Sequence, residues 1–176
     1  MGLDVTAYEN VTRLDIDVVD YDVWPYPSGA QVLVYDYVEH PSPLLSKTSG
    51  EWLQGGVKPG YYSFENEYGF YAGSYGGYNQ FRGELAYFAK YRDSDAWNTP
   101  ELYQDYPFYE LVNFSDCEGY INTENSGRLY EDFTESYQRW VEFWSGTEHG
   151  DWYIGKYVDW MTAFDYARKN GFVDFH

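Results

Sequence analysis

The sequence is short of several things, and each shortage excludes a class of protein. A single cysteine, Cys117, rules out an intramolecular disulfide framework and suits a reducing compartment. No apolar run is long enough to span a bilayer. The opening Met1-Gly2-Leu3-Asp4-Val5 has no basic segment followed by an apolar one, so no secretory leader is expected. The three histidines, His40, His149 and His176, form no i, i+4 pair, and neither HExxH nor CxxC occurs. No metal and no cofactor is therefore predicted. Basic residues are scarce: 11 Lys and Arg face 29 Asp and Glu, a formal charge of −18. The acidic excess is spread along the whole chain rather than gathered in a tail. Such a surface repels nucleic acid and anionic membrane, and it attracts basic partners.

What the chain has in quantity is tyrosine. It carries 22 Tyr among its 176 residues, and aromatics make up 23% of it. A solvated, disordered acidic segment has few aromatics. The composition instead predicts a single folded domain over residues 1–176, with a real core and a negative, phenol-rich surface. Even charge of this kind suits three uses: plain solubility or salt adaptation, a match to a basic protein, or mimicry of a phosphate backbone.

The hydrophobic pattern predicts strands in front and helices behind. Residues 3–8 and 11–18 alternate roughly with period two, and residues 31–37, β-branched and aromatic, form the best strand. Residues 41–60 and 93–108, rich in Pro and Gly or bounded by Pro, are expected as loops. Residues 61–64 lead as a strand into a Gly-rich turn over 69–78. A helix follows with Tyr78, Phe81, Leu85, Phe88 and Ala89 on one face. Residues 109–114 are expected as a short buried strand. Asn122 or Thr123 caps a helix that turns Leu129, Phe133, Tyr137, Trp140 and Trp144 inward and ends at Ser145-Gly146. Asp151 is the expected cap of a last helix with Tyr153, Tyr157, Trp160, Met161 and Phe164 inward. Lys169-Asn170-Gly171 reads as its stop, with Gly171 at C′ and a short strand after it. The expected fold class is α+β. An antiparallel or mixed sheet, mainly from the N-terminal half, carries about three helices on one face.

Four stretches resemble an uncharacterised family of small proteins from bacteria and their phages. They are the opening through Tyr8, the run Gly69-Phe70-Tyr71-Ala72-Gly73-Ser74-Tyr75-Gly76-Gly77-Tyr78-Asn79, the segment Val112-Asn113-Phe114-Ser115-Asp116-Cys117-Glu118-Gly119, and the ending Gly171-Phe172-Val173-Asp174-Phe175-His176. The resemblance implies a cytoplasmic, phage or prophage setting. It brings no activity with it.

Two constellations invite chemistry. In Asn113-Phe114-Ser115-Asp116-Cys117-Glu118-Gly119, Asp116 and Glu118 are placed to act as acid and base or to face one cation. Cys117 becomes a nucleophile there only if His176 or His149 supplies a base. The same residues also suit a purely structural turn, since Asp and Ser bond nearby backbone N–H groups and Cys fills space. In Gly73-Ser74-Tyr75-Gly76-Gly77, glycines precede a helix, yet the spacing matches neither a Walker loop nor a dinucleotide fingerprint. The leading functional expectation is a phage-associated accessory protein that binds and inhibits a basic host protein concerned with nucleic acid or defence. Asp15, Asp17, Asp20 and Asp22 would supply charge, and Tyr21, Tyr26, Tyr75, Tyr103 and Tyr106 the aromatic anchors. The alternatives are a small enzyme or ligand-binding domain at Asp116, Cys117 and Glu118 with His176, and a carbohydrate-binding protein that stacks sugars on Tyr and Trp.

Overall fold

The computed structural model describes residues 2–22, 24–41, 50–92 and 99–176. Its strands are β1 (Gly2–Glu9), β2 (Thr12–Arg13), β3 (Val32–Val34), β4 (Gly60–Ser63), β5 (Asn66–Ser74), β6 (Gly119–Asn122) and β7 (Phe172–Phe175). Its helices are α1 (Gly50–Gln54), α2 (Tyr75–Phe88), α3 (Tyr109–Val112), α4 (Thr123–Trp144) and α5 (Gly150–Ala167), with a 3₁₀ turn at Pro100–Tyr103. One sheet has the order β5-β1-β7-β6 and a smaller one has the order β2-β4-β3, and every pairing is antiparallel. The α+β class expected from the sequence is the class observed.

The larger sheet is covered on both sides, and the burial of its strands follows from that. Leu3, Val5 and Ala7 of β1, Ile121 of β6, and Val173 and Phe175 of β7 face the long helices α2, α4 and α5. The alternate positions Tyr8, Tyr120 and Phe172 face the smaller sheet, among Val32, Val34, Tyr37 and Tyr62. A strand with both neighbours apolar reads as a near-continuous hydrophobic run, which is what Phe172-Val173 shows. Two fully buried indoles organise the helical side. Trp160 of α5 meets Phe70, Tyr78, Phe164 and Phe175 with ring centres 5.0–5.7 Å away. Trp140 of α4 stacks on Tyr157 at 5.0 Å, takes the edge of Phe88 at 5.2 Å, and donates its N–H to the Tyr153 carbonyl at 3.2 Å. Offset and edge-to-face aromatic pairs of this kind add about 0.5–1.5 kcal/mol each beyond their buried area.

Several local expectations hold and several are corrected. Asn122 caps α4, its side chain accepting from the Asn125 N–H at 2.9 Å. Helix α4 ends at Trp144, before Ser145 and the left-handed Gly146 (φ 77°). Residues 109–114 are not a strand. Their first four form α3, entered through left-handed Phe108 (φ 66°), whose N–H donates to the Asp132 carboxylate at 2.8 Å. Four residues, Tyr109-Glu110-Leu111-Val112, are too few to show a period, so their neighbours decide. The alternation over 11–18 yields only Thr12–Arg13 as strand, because Asp15 and Asp17 sit exposed beyond the smaller sheet's edge. The best expected strand is observed only over Val32–Val34.

The expected turn over 69–78 is instead strand β5 running into α2. Register slips between Leu3 and Asp4, and Gly73 (φ 123°) absorbs the bulge. Ser74 then caps α2 by accepting from the Gly77 N–H at 3.1 Å. Tyr137 is exposed rather than inward. Asp151 lies in the first turn of α5, and His149 holds the cap position. Part of the expected loop over 41–60 is helix α1, and that over 93–108 includes the 3₁₀ turn; positions 42–49 and 93–98 of those loops lie outside the described residues.

The stop after α5 works differently from the glycine C′ expectation. Asn170 takes the left-handed conformation (φ 53°), and its side chain donates to the Val11 carbonyl at 3.1 Å. Gly171 is required for space: a Cβ there would stand 1.7 Å from the Tyr8 carbonyl oxygen. By contrast, a Cβ on Gly155 in exposed α5 surface meets nothing within 4 Å. Gly171→Ala should therefore destabilise the fold by about 3 kcal/mol or more, through overpacking against backbone. Gly155→Ala should stabilise it by about 1 kcal/mol through helix propensity. Urea denaturation of the two variants beside the parent checks both signs.

Candidate functional site

The residues singled out in the sequence separate into two groups. Asp15, Asp17, Asp20 and Asp22 are all exposed on the 14–22 loop, where the Asp20 carboxylate accepts from the Asp22 N–H at 3.0 Å. Tyr21 on that loop lies against Tyr35, with ring centres 4.7 Å apart, and against His40 at 5.5 Å. Tyr26 lies against Tyr61 at 5.7 Å. These residues share the smaller-sheet side of the molecule with Cys117, Glu118 and His176. The other three tyrosines belong to the helical side. Tyr75 packs on the helical core, and Tyr103 is buried there at 4% exposure, stacked on Tyr91 at 4.7 Å. Tyr106 stands beside them, half-exposed. Tyr103 thus offers no surface to a partner.

The 113–119 segment is a turn held from α2. Arg82, 7% exposed, donates to the Asn79 side chain at 2.8 Å and to the Phe114 carbonyl, and its guanidinium lies 4.0 Å from Asp116. Asn79 in turn donates to Asp116 at 2.8 Å. Asp116 is thereby committed to anchoring the turn. The Ser115 hydroxyl accepts from the backbone N–H groups of Cys117 and Glu118, each at 3.3 Å. The Cys117 thiol lies 3.7 Å from the same hydroxyl, and burial pushes its pKa up, away from the thiolate a nucleophile needs. His176 instead meets Thr6, Nε2 to Oγ1, at 3.0 Å.

The central feature is a residue the sequence reading passed over. Asp174 sits in β7, opposite Thr6 on one side and Tyr120 on the other. It projects to the same face as Phe172, into the tyrosine layer. Burial raises its carboxyl pKa, to about 8, although the residue keeps partial access to solvent. Among the described residues no hydrogen bond or ion pair reaches that carboxyl. Tyr8, Tyr26, Tyr37 and Tyr120 all lie close enough to feel its charge. Burial first, and then neighbouring carboxylates, hold these phenols above their ordinary range, so they stay neutral. Glu118 acts on Tyr37 more strongly than Asp174 does, and one Glu118 oxygen is buried without a hydrogen-bond partner. Tyr8, Tyr37 and Tyr120 are buried while Asp174 and Thr6 keep partial access and His176 is exposed.

The rings continue outward from this floor as one layer. Tyr120 meets Tyr37 at 5.7 Å, Tyr37 meets Tyr35 at 5.0 Å, and Tyr35 meets Tyr21 on the acidic loop. The Tyr120 hydroxyl accepts from the Tyr35 N–H at 2.8 Å and locks that order. Carboxylates beside neutral phenol faces form an environment that favours an incoming cation. The signal in the sequence was a lone charge in an otherwise apolar strand, Phe172-Val173-Asp174-Phe175, where period two puts Asp174 beside Phe172.

A second concavity, a cleft of about 450 Å³, opens between α1, α3 and the start of α4. Trp52, 40% exposed, leans on Phe114 at 5.0 Å along its wall. Tyr109, Asn113, Asn125 and Glu110 line the rest, with Glu110 paired to Arg128 at 2.6 Å.

Among the described residues, no group of three or more His, Cys, Asp or Glu is placed to hold a metal ion, and no helix is long and apolar enough to cross a membrane. Comparison with protein-family models, with curated proteins and with solved structures returned no match.

The raised Asp174 pKa has a direct consequence for stability. The folded state holds a proton there that the unfolded state releases near pH 4, so this residue's contribution is full below about pH 4 and is lost as pH rises through 8. Asp132, raised to about 6 mainly by burial, has the same sign but is spent by pH 6. Between pH 6 and 8, Asp174→Asn should therefore gain stability relative to the parent, by up to about 1.4 kcal/mol per pH unit. Urea denaturation at pH 6, 7 and 8 measures that difference, and a difference that stays flat would show the carboxyl to be ionised throughout.

Proposed function

We propose that the protein works by binding, and that its smaller-sheet side occupies a basic site on another protein. The observation that carries this is a juxtaposition. The exposed carboxylates of the 14–22 loop stand at the end of a continuous tyrosine layer that runs back to Asp174. Charge on the loop speeds encounter, and a few desolvated aromatics give most of the affinity. The net charge of −18 supports a partner of opposite sign. A host protein that handles nucleic acid or serves in defence, met in a phage or prophage setting, is the partner class this reading favours. Occupation of its nucleic-acid site would make the chain an inhibitor.

The test is a salt-graded capture from bacterial lysate, with and without nuclease, followed by stopped-flow kinetics on the captured basic protein. Replacing Asp15, Asp17, Asp20 and Asp22 together by Asn should slow association on the order of tenfold at low salt, with the effect fading as salt rises. The melting temperature should hardly change, because these side chains are exposed. Association that is insensitive both to salt and to the four substitutions sinks the proposal.

The Trp52 cleft supports a second reading, the binding of a carbohydrate. An accessible indole face beside Asn and Glu side chains matches how sugar rings stack and hydroxyls bond. A glycan that binds there should shift the Trp52 emission, and Trp52→Ala should weaken its binding at least tenfold. A panel of neutral and acidic oligosaccharides followed by tryptophan fluorescence decides this, and a signal that survives Trp52→Ala places the sugar elsewhere.

A further inference from the structure

We propose that the Trp52 cleft continues past the Glu110–Arg128 pair into a second cavity, and that the two together bind one neutral glycan chain, with Trp52 and Tyr106 as its stacking platforms. This deepens the carbohydrate reading of the Trp52 cleft and rests on it. What it adds is a second subsite, the length of the ligand and its charge.

The second cavity, of about 320 Å³, opens between the 104–107 segment and the first half of α4. Glu110 and Arg128 line it as they line the Trp52 cleft, so the two cavities meet at this ion pair. The Arg128 side chain is half-exposed there, so a ligand can lie across the pair and reach both sides. Each volume is within the range of cavities that hold small ligands, roughly 300–1,000 Å³.

Each cavity has a ring at its surface that is held from behind. Trp52 leans on Phe114, as described above. Tyr106, 39% exposed, has its ring centre 4.9 Å from Tyr103 and 5.3 Å from Tyr91, edge to face with both. Those two rings are buried and stacked on each other. A ring already held in place loses little freedom when a sugar stacks on it. Between the platforms lies a polar stretch that is also held. Arg128 donates to Glu110 at 2.6 Å, to Glu124 at 2.8 Å and to the Asn125 side chain. Asn113 on one side and Gln104 on the other add amides. Carboxylates, amides and a guanidinium together supply both acceptors and donors for hydroxyl groups.

The charge of the groove selects among sugars. Among the described lining residues, Glu51, Asp105, Glu110, Glu131 and Asp132 are acids and Arg128 is the cation. An anionic chain would meet like charge along most of its length, and a neutral one would not.

The rival occupant is an extended peptide. Strand β6 is an edge of the larger sheet, and Tyr120, Ile121 and Asn122 border the cleft. Peptides commonly bind such an edge by adding a strand to it. Here the residues after α1 already lie along that edge. A Cβ on Gly55 would stand 2.0 Å from the Tyr120 carbonyl oxygen, and the Asn122 side chain donates to the Gly55 carbonyl at 2.8 Å. The groove therefore recognises its ligand through ring faces and polar side chains, which suits a glycan.

The experiment is calorimetric titration of the full chain with linear neutral oligosaccharides of two, four and six units, in the cello, malto and N-acetylchito series. In a series that binds, affinity should rise on the order of tenfold from two units to six, as the second platform is reached. Trp52→Ala should weaken binding at every length. Tyr106→Ala should weaken the six-unit chain about fivefold or more and leave the two-unit chain unchanged, which also shows that the variant is folded. Tyr106→Phe keeps the ring and should keep the long-chain affinity. A six-unit oligogalacturonate, the anionic counterpart, should bind at least several-fold more weakly at low salt.

Affinity that is independent of length, or a Tyr106→Ala variant that treats short and long chains alike, overturns the second subsite. Equal binding of the anionic chain overturns the charge assignment. A mixed pool of extended peptides that displaces the six-unit chain overturns the glycan in favour of a peptide. This proposal and the reading it rests on fail separately. If short chains bind, lose affinity with Trp52→Ala and gain nothing from length, the cleft reading stands and the groove is wrong. If no neutral chain of any length binds, both are wrong.

Discussion

Everything in this molecule is arranged around the pairing of β1 with β7. These are the two inner strands of the larger sheet, matched from Val5 with Phe175 to Tyr8 with Phe172, and the ladder continues through the two bonds between Asp4 and His176. Because both strands are inner strands, both their faces must be covered. The helices supply one cover, and the smaller sheet with its tyrosine-bearing loops supplies the other. The end of α5 is clamped to the end of β1 by bonds from Asn10 to the Lys169 carbonyl and from Val11 to the Asn170 carbonyl, each 2.9 Å. Without the ladder, neither cover has a surface to lie on.

The two covers are chemically different. The helical side is closed by indoles and phenyl rings that interlock; the Tyr157 hydroxyl donates to the Phe133 carbonyl at 2.7 Å, while Tyr78, Ser126, Trp144 and Trp160 each bury a polar atom that has no hydrogen-bond partner among the described residues. The smaller-sheet side is closed by phenols. Phenols pack like apolar rings but present hydroxyls and electron-rich faces, so they tolerate a carboxyl that a Phe and Trp layer would exclude. The position of Asp174 depends on that tolerance.

The sequence carried much of the architecture and little of the site. The order of elements, the Asn122 cap, the stop at Ser145-Gly146 and the inward faces of the long helices follow from local pattern, because they are set by residues near one another in the chain. Helix α3 was not legible, since the four residues Tyr109–Val112 fit a strand as well as a helix, and the contact that decides is with Asp132 some two dozen positions away. The Ser115 bonds of the 113–119 turn were within reach of local reasoning. The commitment of Asp116 to Asn79 and Arg82 was not, because those partners sit on another element. The tyrosines were visible as a surplus, but not which of them gather. Tyr8, Tyr37 and Tyr120 come together only through strand register, while Tyr103, on a loop by sequence, is buried. Asp174 was legible in principle as a charge breaking an aromatic run. It took the register with Thr6 and Tyr120 to show that this charge faces inward.

The sheet's topology also has a consequence for how the chain is made. Residues 5 and 175 pair in the middle of the sheet, so the β7-side edge of β1 finds no partner until β7 has left the ribosome. Pairings this distant in sequence form slowly, and an exposed strand edge is a template for the wrong neighbour. The emerging chain carries its acidic excess from the first segment onward, so nascent copies repel one another while that edge is open. The even spread of carboxylates then does two things in succession: it keeps the growing chains apart, and after folding it leaves the finished surface strongly negative.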